Sequence, residues 1–495
     1  MTEEEQALAI KDKLGDRSWR LDNLYYITDK RGNKVQFKMN WAQRIAFNDM
    51  WFLNILLKAR QLGMTTFIQL FILDACLFND NVRAGVIAHN REDAQKFFRD
   101  KIKFAYENLP DWLRSEVTST NDRAQELVFS NGSSISVGTS MRSGTLQYLH
   151  VSEFGKICSK YPAKAREIVT GAINAVEAGQ FVYIESTAEG QEGYFYDYCK
   201  IAQNAELEGR ELTPLDYKFF FFPWWGEKNY RLTGNVIIND TDKAYFEDLR
   251  KRGIELSIEQ MNWYVKKKST QGDDMKREYP STPEEAFEQS VSGAYFHTEM
   301  LDVRSEGRIQ RIKYAPQLPV HAFMDLGRDD ATSIWFMQDY YSQYRFIKYY
   351  ENNGESMQFY LKYMQQLGYV FGDIYLPHDA NVTDYTRADN KSRADIVRSA
   401  GFSVVVVPRV PHKIEAIQAV RDILPSCYFD EEGAEQGIKH LDNHRREWDD
   451  KYGRWKDKPF HGPASHGADA FEQFARGYAD NTHMQQSFEP ENDYL

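Results

Sequence analysis

With 495 residues, 42% of them hydrophobic and 27% charged, the chain is long enough for about two to four globular domains and too apolar to be disordered. Its net charge of −12, from 61 basic and 73 acidic residues, excludes a uniformly basic nucleic-acid coat. It leaves room for local basic strips that grip DNA, and carboxylate-rich metal sites push such a total negative. Cys76, Cys158, Cys199 and Cys427 form no CxxC pair, which argues against a zinc site and a disulfide framework. No run of about 18 apolar residues occurs, so no membrane span is expected. The acidic, polar start MTEEEQALAIKDKLGD is unlike a signal peptide and fits a reducing cytoplasm.

In chain order, residues 1–20 read as a short amphipathic helix. From 51 to 187, apolar strand-like runs alternate with helices. WFLNILLKA (51–59) is followed by a helix from about 65 to 78 and RAGVIAHN (83–90) by one from about 91 to 108; ELVFS (126–130), SSISVGT (133–139), LQYLHVSE (146–153) and GQFVYIEST (179–187) follow. This alternation predicts a parallel sheet covered on both faces. Residues 205–290 are charged and helical around an aromatic cluster, YKFFFFPWW (217–225), and read as a smaller subdomain. The turn-rich stretch 277–296 marks the domain boundary just after it. VHAFMDLG (320–327), TSIWFMQDY (332–340) and YRFIKYYEN (344–352) are separated by short turns and predict an antiparallel meander. A helix (355–367), the strand DIYLPHD (373–379), a helix (392–400), the strand FSVVVVP (402–408) and further helices complete the second unit. The resulting division is 1–205, 206–300, 301–480 and a flexible polar tail, 481–495.

Two groups of residues carry chemistry. KARQLGMT (58–65) leaves a strand and opens a helix, the setting in which a P-loop, GxxxxGK followed by Ser or Thr, cradles phosphates on backbone N–H groups. Gly63 and Thr65 fit the second glycine and the magnesium-binding hydroxyl, and Thr66 follows. Lys58 stands at the first glycine and Met64 at the usual lysine, so by pattern alone a plain strand-helix turn fits equally well. Glu153 ends an apolar strand, where an acid can orient an attacking water, and Ser152 stands where Asp is usual. Gln43, in NWAQR (40–44), is a candidate for reading the adenine edge, against a plain helix-surface role. STAEG (186–190) follows another apolar strand, and Arg142 lies in MRSG upstream of Glu153. In the second unit, Asp325 and Asp379 end apolar strands and Asp469 sits in the first turn of a helix within SHGADAFEQFA (465–475). Alone, each reads as a turn or cap residue. Together they suit a site that gathers hard divalent cations on carboxylate oxygens. Asp330 lies at the margin, and His466 either bonds near the metals or starts the helix.

On these residues the chain resembles the large subunit of tailed-phage terminases, across about residues 35–480 and in the order ATPase then nuclease. The resemblance implies an α/β architecture: an N-terminal P-loop ATPase of the ASCE, RecA-like class with a small helical lid, then a C-terminal RNase H-like nuclease. It implies Gln43 at the adenine, with Arg60 first and Lys58 second as the displaced phosphate-binding cation. Glu153 becomes the catalytic acid, Arg142 a trans-acting arginine finger, and Ser186 and Thr187 the coupling motif. Asp325, Asp379 and Asp469 become the acidic triad. The implied cofactors are ATP with Mg²⁺ and two Mg²⁺ or Mn²⁺ ions. The implied partners are double-stranded DNA, a terminase small subunit, a portal protein and further copies of the chain in a ring, in the host cytoplasm and with no membrane. A helicase-like remodeller with a non-cleaving second domain, and a docking scaffold with a degenerate P-loop, remain as alternatives.

Overall fold

The apolar run LNILLK becomes the strand Leu53–Lys58 (β1), buried almost end to end and paired in parallel on both sides, as a strand without polar alternation must be. The structure, a computed structural model, describes residues 13–479 except 124, 142–143, 289–292, 328–330, 342, 383–390 and 450–453. The chain divides into two compact units, residues 1–289 and 290–495. The expected helix at 1–20 falls partly outside the described residues; within them a helix spans Arg17–Asn23, capped by Asp16. The tail from 481 lies outside them.

In the first unit β1 feeds helix α1 (Met64–Phe78). The strands Arg83–Ile87 (β2), Ser119–Arg123 (β3), Glu126–Phe129 (β4), Ser134–Gly138 (β5), Leu146–Ser152 (β6), Val176–Ser186 (β7) and Tyr217–Phe222 (β8) follow. The sheet order is β8-β1-β7-β6-β2-β5-β4-β3, parallel from β8 to β5 and antiparallel at β4 and β3. One strand therefore separates β1 from β6, the order of the ASCE P-loop class. Strand β8 departs from the reading along the chain, which placed its residues in a separate helical subdomain. Phe220 and Phe222, with Trp224, Tyr230, Tyr264 and Tyr279, join the same hydrophobic core as Leu56, Met64 and Phe67. Helices Asp240–Lys251 and Ile258–Gln271 supply the helical character that was expected, but the segment has no separate core. Its aromatic run is too apolar to stand alone in water and is buried against β1.

The second unit is built on a meander of Val320–Asp325 (β9), Ala331–Tyr340 (β10) and Gln343–Asn353 (β11), antiparallel as expected. Phe371–Leu376 (β12) lies parallel to β9, and Ser403–Val406 (β13) parallel to β12; on the other side Cys427–Asp430 (β14) pairs with β11 and the two-residue strand Ile309–Gln310. The run β11-β10-β9-β12-β13 is the RNase H order. Helices α2 (Lys413–Ile423) and α3 (Pro463–Phe474) share one apolar cluster with Phe323, Trp335 and Phe346, and the alternate residues Ala322, Met324 and Phe336 join a second cluster. Among the described residues no helix is long and apolar enough to cross a membrane, and the four cysteines are free and buried.

Candidate active sites

Leaving β1, the chain turns into α1 through Gln61 and Gly63, both at positive φ (63° and 74°). Gly63 suits this turn for two reasons. It adopts the left-handed conformation without penalty, and a Cβ there would come 2.9 Å from Gln43 Nε2. Gln43 is buried; its Nε2 donates to Gly63 O at 2.9 Å and its Oε1 accepts from Asn40 N at 2.9 Å. Both ends of the Gln43 amide thus brace the loop and its own helix start.

Lys58 reaches from the end of β1 into a cluster of carboxylates. Its Nζ lies 3.2 Å from Glu153 Oε1 and 3.0 Å from Glu185 Oε2. Burial alone would lower the Lys58 pKa, but the charges of Glu153 and Glu185 hold it above its ordinary value. Arg60 is differently engaged. Its guanidinium, half-exposed, pairs with Glu278 at 2.8 Å, while its backbone N–H donates to Glu278 O and its carbonyl accepts from the Tyr230 hydroxyl. Of the two candidate cations, Lys58 is the one paired with Glu153 and Glu185. Met64 is buried at the first position of α1 and its thioether donates nothing to a phosphate.

Glu153 sits just after β6 with φ 54°, a conformation that turns its side chain out of the strand, where it stays partly exposed. Thr65 Oγ1 donates to Glu185 Oε1 at 2.7 Å, and Lys101 Nζ donates to Thr66 Oγ1 at 2.9 Å. Burial pushes the Lys101 pKa down to about 8. Ser186 ends β7 and Thr187 follows it, both buried. Arg142 lies outside the described residues. The sequence reading missed Glu185, which is fully buried. Burial disfavours its charge, yet Lys58, His150 and Thr65 hold its carboxyl well below the usual range. The available signal was an acid inside an otherwise apolar strand, which is costly unless paired.

In the second unit Asp325 is the last residue of β9, whose preceding residues are buried. Because β12 runs parallel to β9, the turn His378–Asn381 carries Asp379 on the same sheet edge. Helix α3 is fixed by Trp335 Nε1, which donates to Gly467 O at 2.8 Å. A Cβ at Gly467 would lie 2.6 Å from His440 Nδ1. This seating brings His466 Nδ1 to 3.5 Å from Asp325 Oδ2 and puts Asp469 three residues further along α3. Burial raises the Asp325 pKa; His466 opposes the rise and the charge of Asp469 adds to it. Lys413 Nζ on α2 donates to Asp469 Oδ1 at 2.6 Å and to Glu472 Oε2 at 2.7 Å. Burial pushes Glu472 up to about 7, against the Lys413 charge.

Register across three strands sets Asp325 opposite Ser333 and Ser333 opposite Glu351. Glu351, raised by burial, is 2.8 Å from the Tyr349 hydroxyl and 3.5 Å from His440 Nδ1. Neither Lys413 nor Glu351 was singled out in the sequence, and Asp330 lies outside the described residues. The oxygen donors suit a hard divalent cation in kind. Among the described residues, however, no three His, Cys, Asp or Glu side chains are gathered closely enough to hold one.

No protein-family profile and no curated protein matches the sequence. The chain is similar to solved structures of phage large terminases. One is the HK97 bacteriophage large terminase, at 13% identity and TM-score 0.44, covering 94% of this chain and 99% of that one. Another is the large terminase of a thermophilic bacteriophage, at 13% identity and TM-score 0.31, covering 89% and 99%. A third is the large terminase ATPase domain of Thermus phage P74-26, at 13% identity and TM-score 0.32, covering 49% and 93%.

Proposed function

We propose that this chain is a genome-packaging motor of the terminase large-subunit kind. In this reading the first unit hydrolyses ATP to drive double-stranded DNA into a procapsid, and the second cuts concatemeric DNA. The observation that carries it is the convergence of Lys58, Thr65 and Glu153, from two strand ends and a helix start, at the C-terminal edge of a sheet with P-loop strand order. That edge is where open α/β sheets bind ligands. Lys58 and the N-terminus of α1 would hold phosphate. Thr65 supplies a hard oxygen suited to magnesium, which would neutralise charge on the phosphates. Glu153, partly exposed beside that point, would orient water and accept its proton.

For the second unit we propose Asp325, Asp379 and Asp469 as the residues that hold divalent metal for phosphodiester cleavage, with Lys413 supplying counter-charge to Asp469 when metal is absent. Bound metal would activate water and stabilise the leaving oxygen; α3 and β9 serve to orient the carboxylates. Partners in this reading are DNA, a small subunit, a portal and further copies in a ring, in the cytoplasm of the infected host. The test is phosphate release from ATP with and without double-stranded DNA, together with plasmid cutting in Mg²⁺ or Mn²⁺. The reading requires DNA-stimulated hydrolysis and metal-dependent cutting by the same protein. Neither activity in folded protein would leave the docking scaffold.

A further inference from the structure

Ser152 leaves a chemical gap in the nucleotide site, because a hydroxyl stands where the P-loop pattern expects an Asp beside magnesium. Strand register sets Glu185 next to that gap. It is opposite Ser152 in the β6–β7 pairing and opposite Leu56 in the β1–β7 pairing. One oxygen of Glu185, Oε1, accepts from both the Thr65 hydroxyl and the Ser152 hydroxyl, each at 2.7 Å. The other lies 3.0 Å from Lys58 Nζ. A counter-ion for Lys58 alone has no need of the first-turn hydroxyl of α1. Glu185 instead joins the hydroxyl assigned to magnesium, the hydroxyl in the Asp position and the phosphate-side lysine. Its Cα lies one strand nearer the phosphate loop than that of Ser152, a step of about 4.8 Å.

We propose that Glu185 is the magnesium-side carboxylate of the nucleotide site, supplying from the neighbouring strand the charge that Ser152 lacks. The inference rests on the nucleotide-site reading above and names the residue through which that site prefers the metal-bound nucleotide. Glu185 acts here as a positioning residue, so the readout is the metal dependence of binding.

ADP is titrated into the full chain in MgCl₂ and in EDTA, with folding checked by circular dichroism. In the native protein Mg²⁺ should tighten ADP binding. Glu185→Gln should lose about 10–100-fold of the Mg²⁺ enhancement, read as the ratio of its affinities in MgCl₂ and in EDTA, the usual span for residues that orient a metal shell. Ser152→Asp in the Glu185→Gln background should restore that enhancement. Ser152→Asp alone should lower the Mg²⁺ concentration needed for half-maximal effect, which keeps the idea testable if Glu185→Gln fails to fold. An unchanged Mg²⁺ enhancement in folded Glu185→Gln, or an unchanged Mg²⁺ midpoint in Ser152→Asp, overturns the proposal and leaves Glu185 as a structural partner of Lys58. Native protein that binds ADP under neither condition overturns the nucleotide reading itself, and this proposal with it.

Discussion

Replacing Lys58 by methionine separates the two candidate phosphate cations most sharply. The ammonium is buried between Glu153 and Glu185 at 3.2 and 3.0 Å, so its loss strands a buried carboxylate. Removing one partner of a buried ion pair costs about 3–5 kcal/mol. Glu185 keeps hydrogen bonds from Thr65 and Ser152, which puts the expectation near the lower end, about 3 kcal/mol. Arg60→Ala breaks a pair whose guanidinium is 54% exposed, a loss of about 0–1 kcal/mol. Urea unfolding of the full chain measures both. Nucleotide titration then separates stability from binding, with Lys58→Met/Glu185→Gln as the control. The double variant removes both charges and should recover most of the lost stability, yet its ADP affinity in EDTA should stay about 30-fold below that of Glu185→Gln alone. That figure corresponds to about 2 kcal/mol for one charged hydrogen bond to phosphate. Arg60→Ala should shift affinity by less than about threefold. Near-native affinity in a folded Lys58 variant, with severe loss in Arg60→Ala, would refute this assignment of the loop.

Glu153→Gln should lower ATP hydrolysis by about two orders of magnitude, in line with loss of a general base, while ADP titration shows nucleotide still bound; native turnover would remove Glu153 from the mechanism. Asp325→Asn, Asp379→Asn and Asp469→Asn should each abolish divalent-dependent plasmid cutting with the thermal melt little changed, and full cutting by all three would refute the triad. His444 is buried with neither ring nitrogen hydrogen-bonded among the described residues, and burial pushes its pKa down to about 4. The folded state therefore excludes a proton that the unfolded chain binds below pH about 6.5. This contribution to stability is complete above that pH and is lost as pH falls toward 4, by up to about 3 kcal/mol. His444→Phe should flatten the melting-temperature profile between pH 7 and 4.5, and an unchanged slope would show that His444 does not titrate with unfolding.

Much of the fold was legible because its strands are continuous apolar runs and its meander has short turns; β1, β6 and β9–β12 emerge where those patterns put them. Strand β8 was misread because its flanks are charged and helical, and only pairing with β1 explains the run of phenylalanines. Thr65, Glu153 and Asp325 could be singled out because each lies beside the start or end of a recognisable element, whereas Asp469, expected in the first turn of its helix, lies inside α3 because that helix already starts at Pro463. Glu185 could not, since its meaning depends on lying beside Ser152 and across from Thr65, 33 and 120 residues away. Lys413 is similarly distant, 56 residues from Asp469. The hydrogen bonds of Gln43 to Asn40 and Gly63 were likewise not legible in its spacing alone.

The two sites meet the same electrostatic difficulty. Neighbouring carboxylates that are desolvated repel one another, so without a cation they would protonate or separate. In the first unit the ammonium of Lys58 stands between Glu153 and Glu185. In the second, Lys413 stands between Asp469 and Glu472. The outcomes differ with burial and partners. Glu185 receives hydroxyl hydrogen bonds as well as the lysine charge and is held ionised. Glu472, equally hidden, has the lysine and the repulsion of Asp469, and is pushed up to about 7. Each ammonium is shared by two carboxylates, so the difference lies in the Thr65 and Ser152 hydroxyls that donate to Glu185. The second cluster is consequently the one that gains more from a further cation.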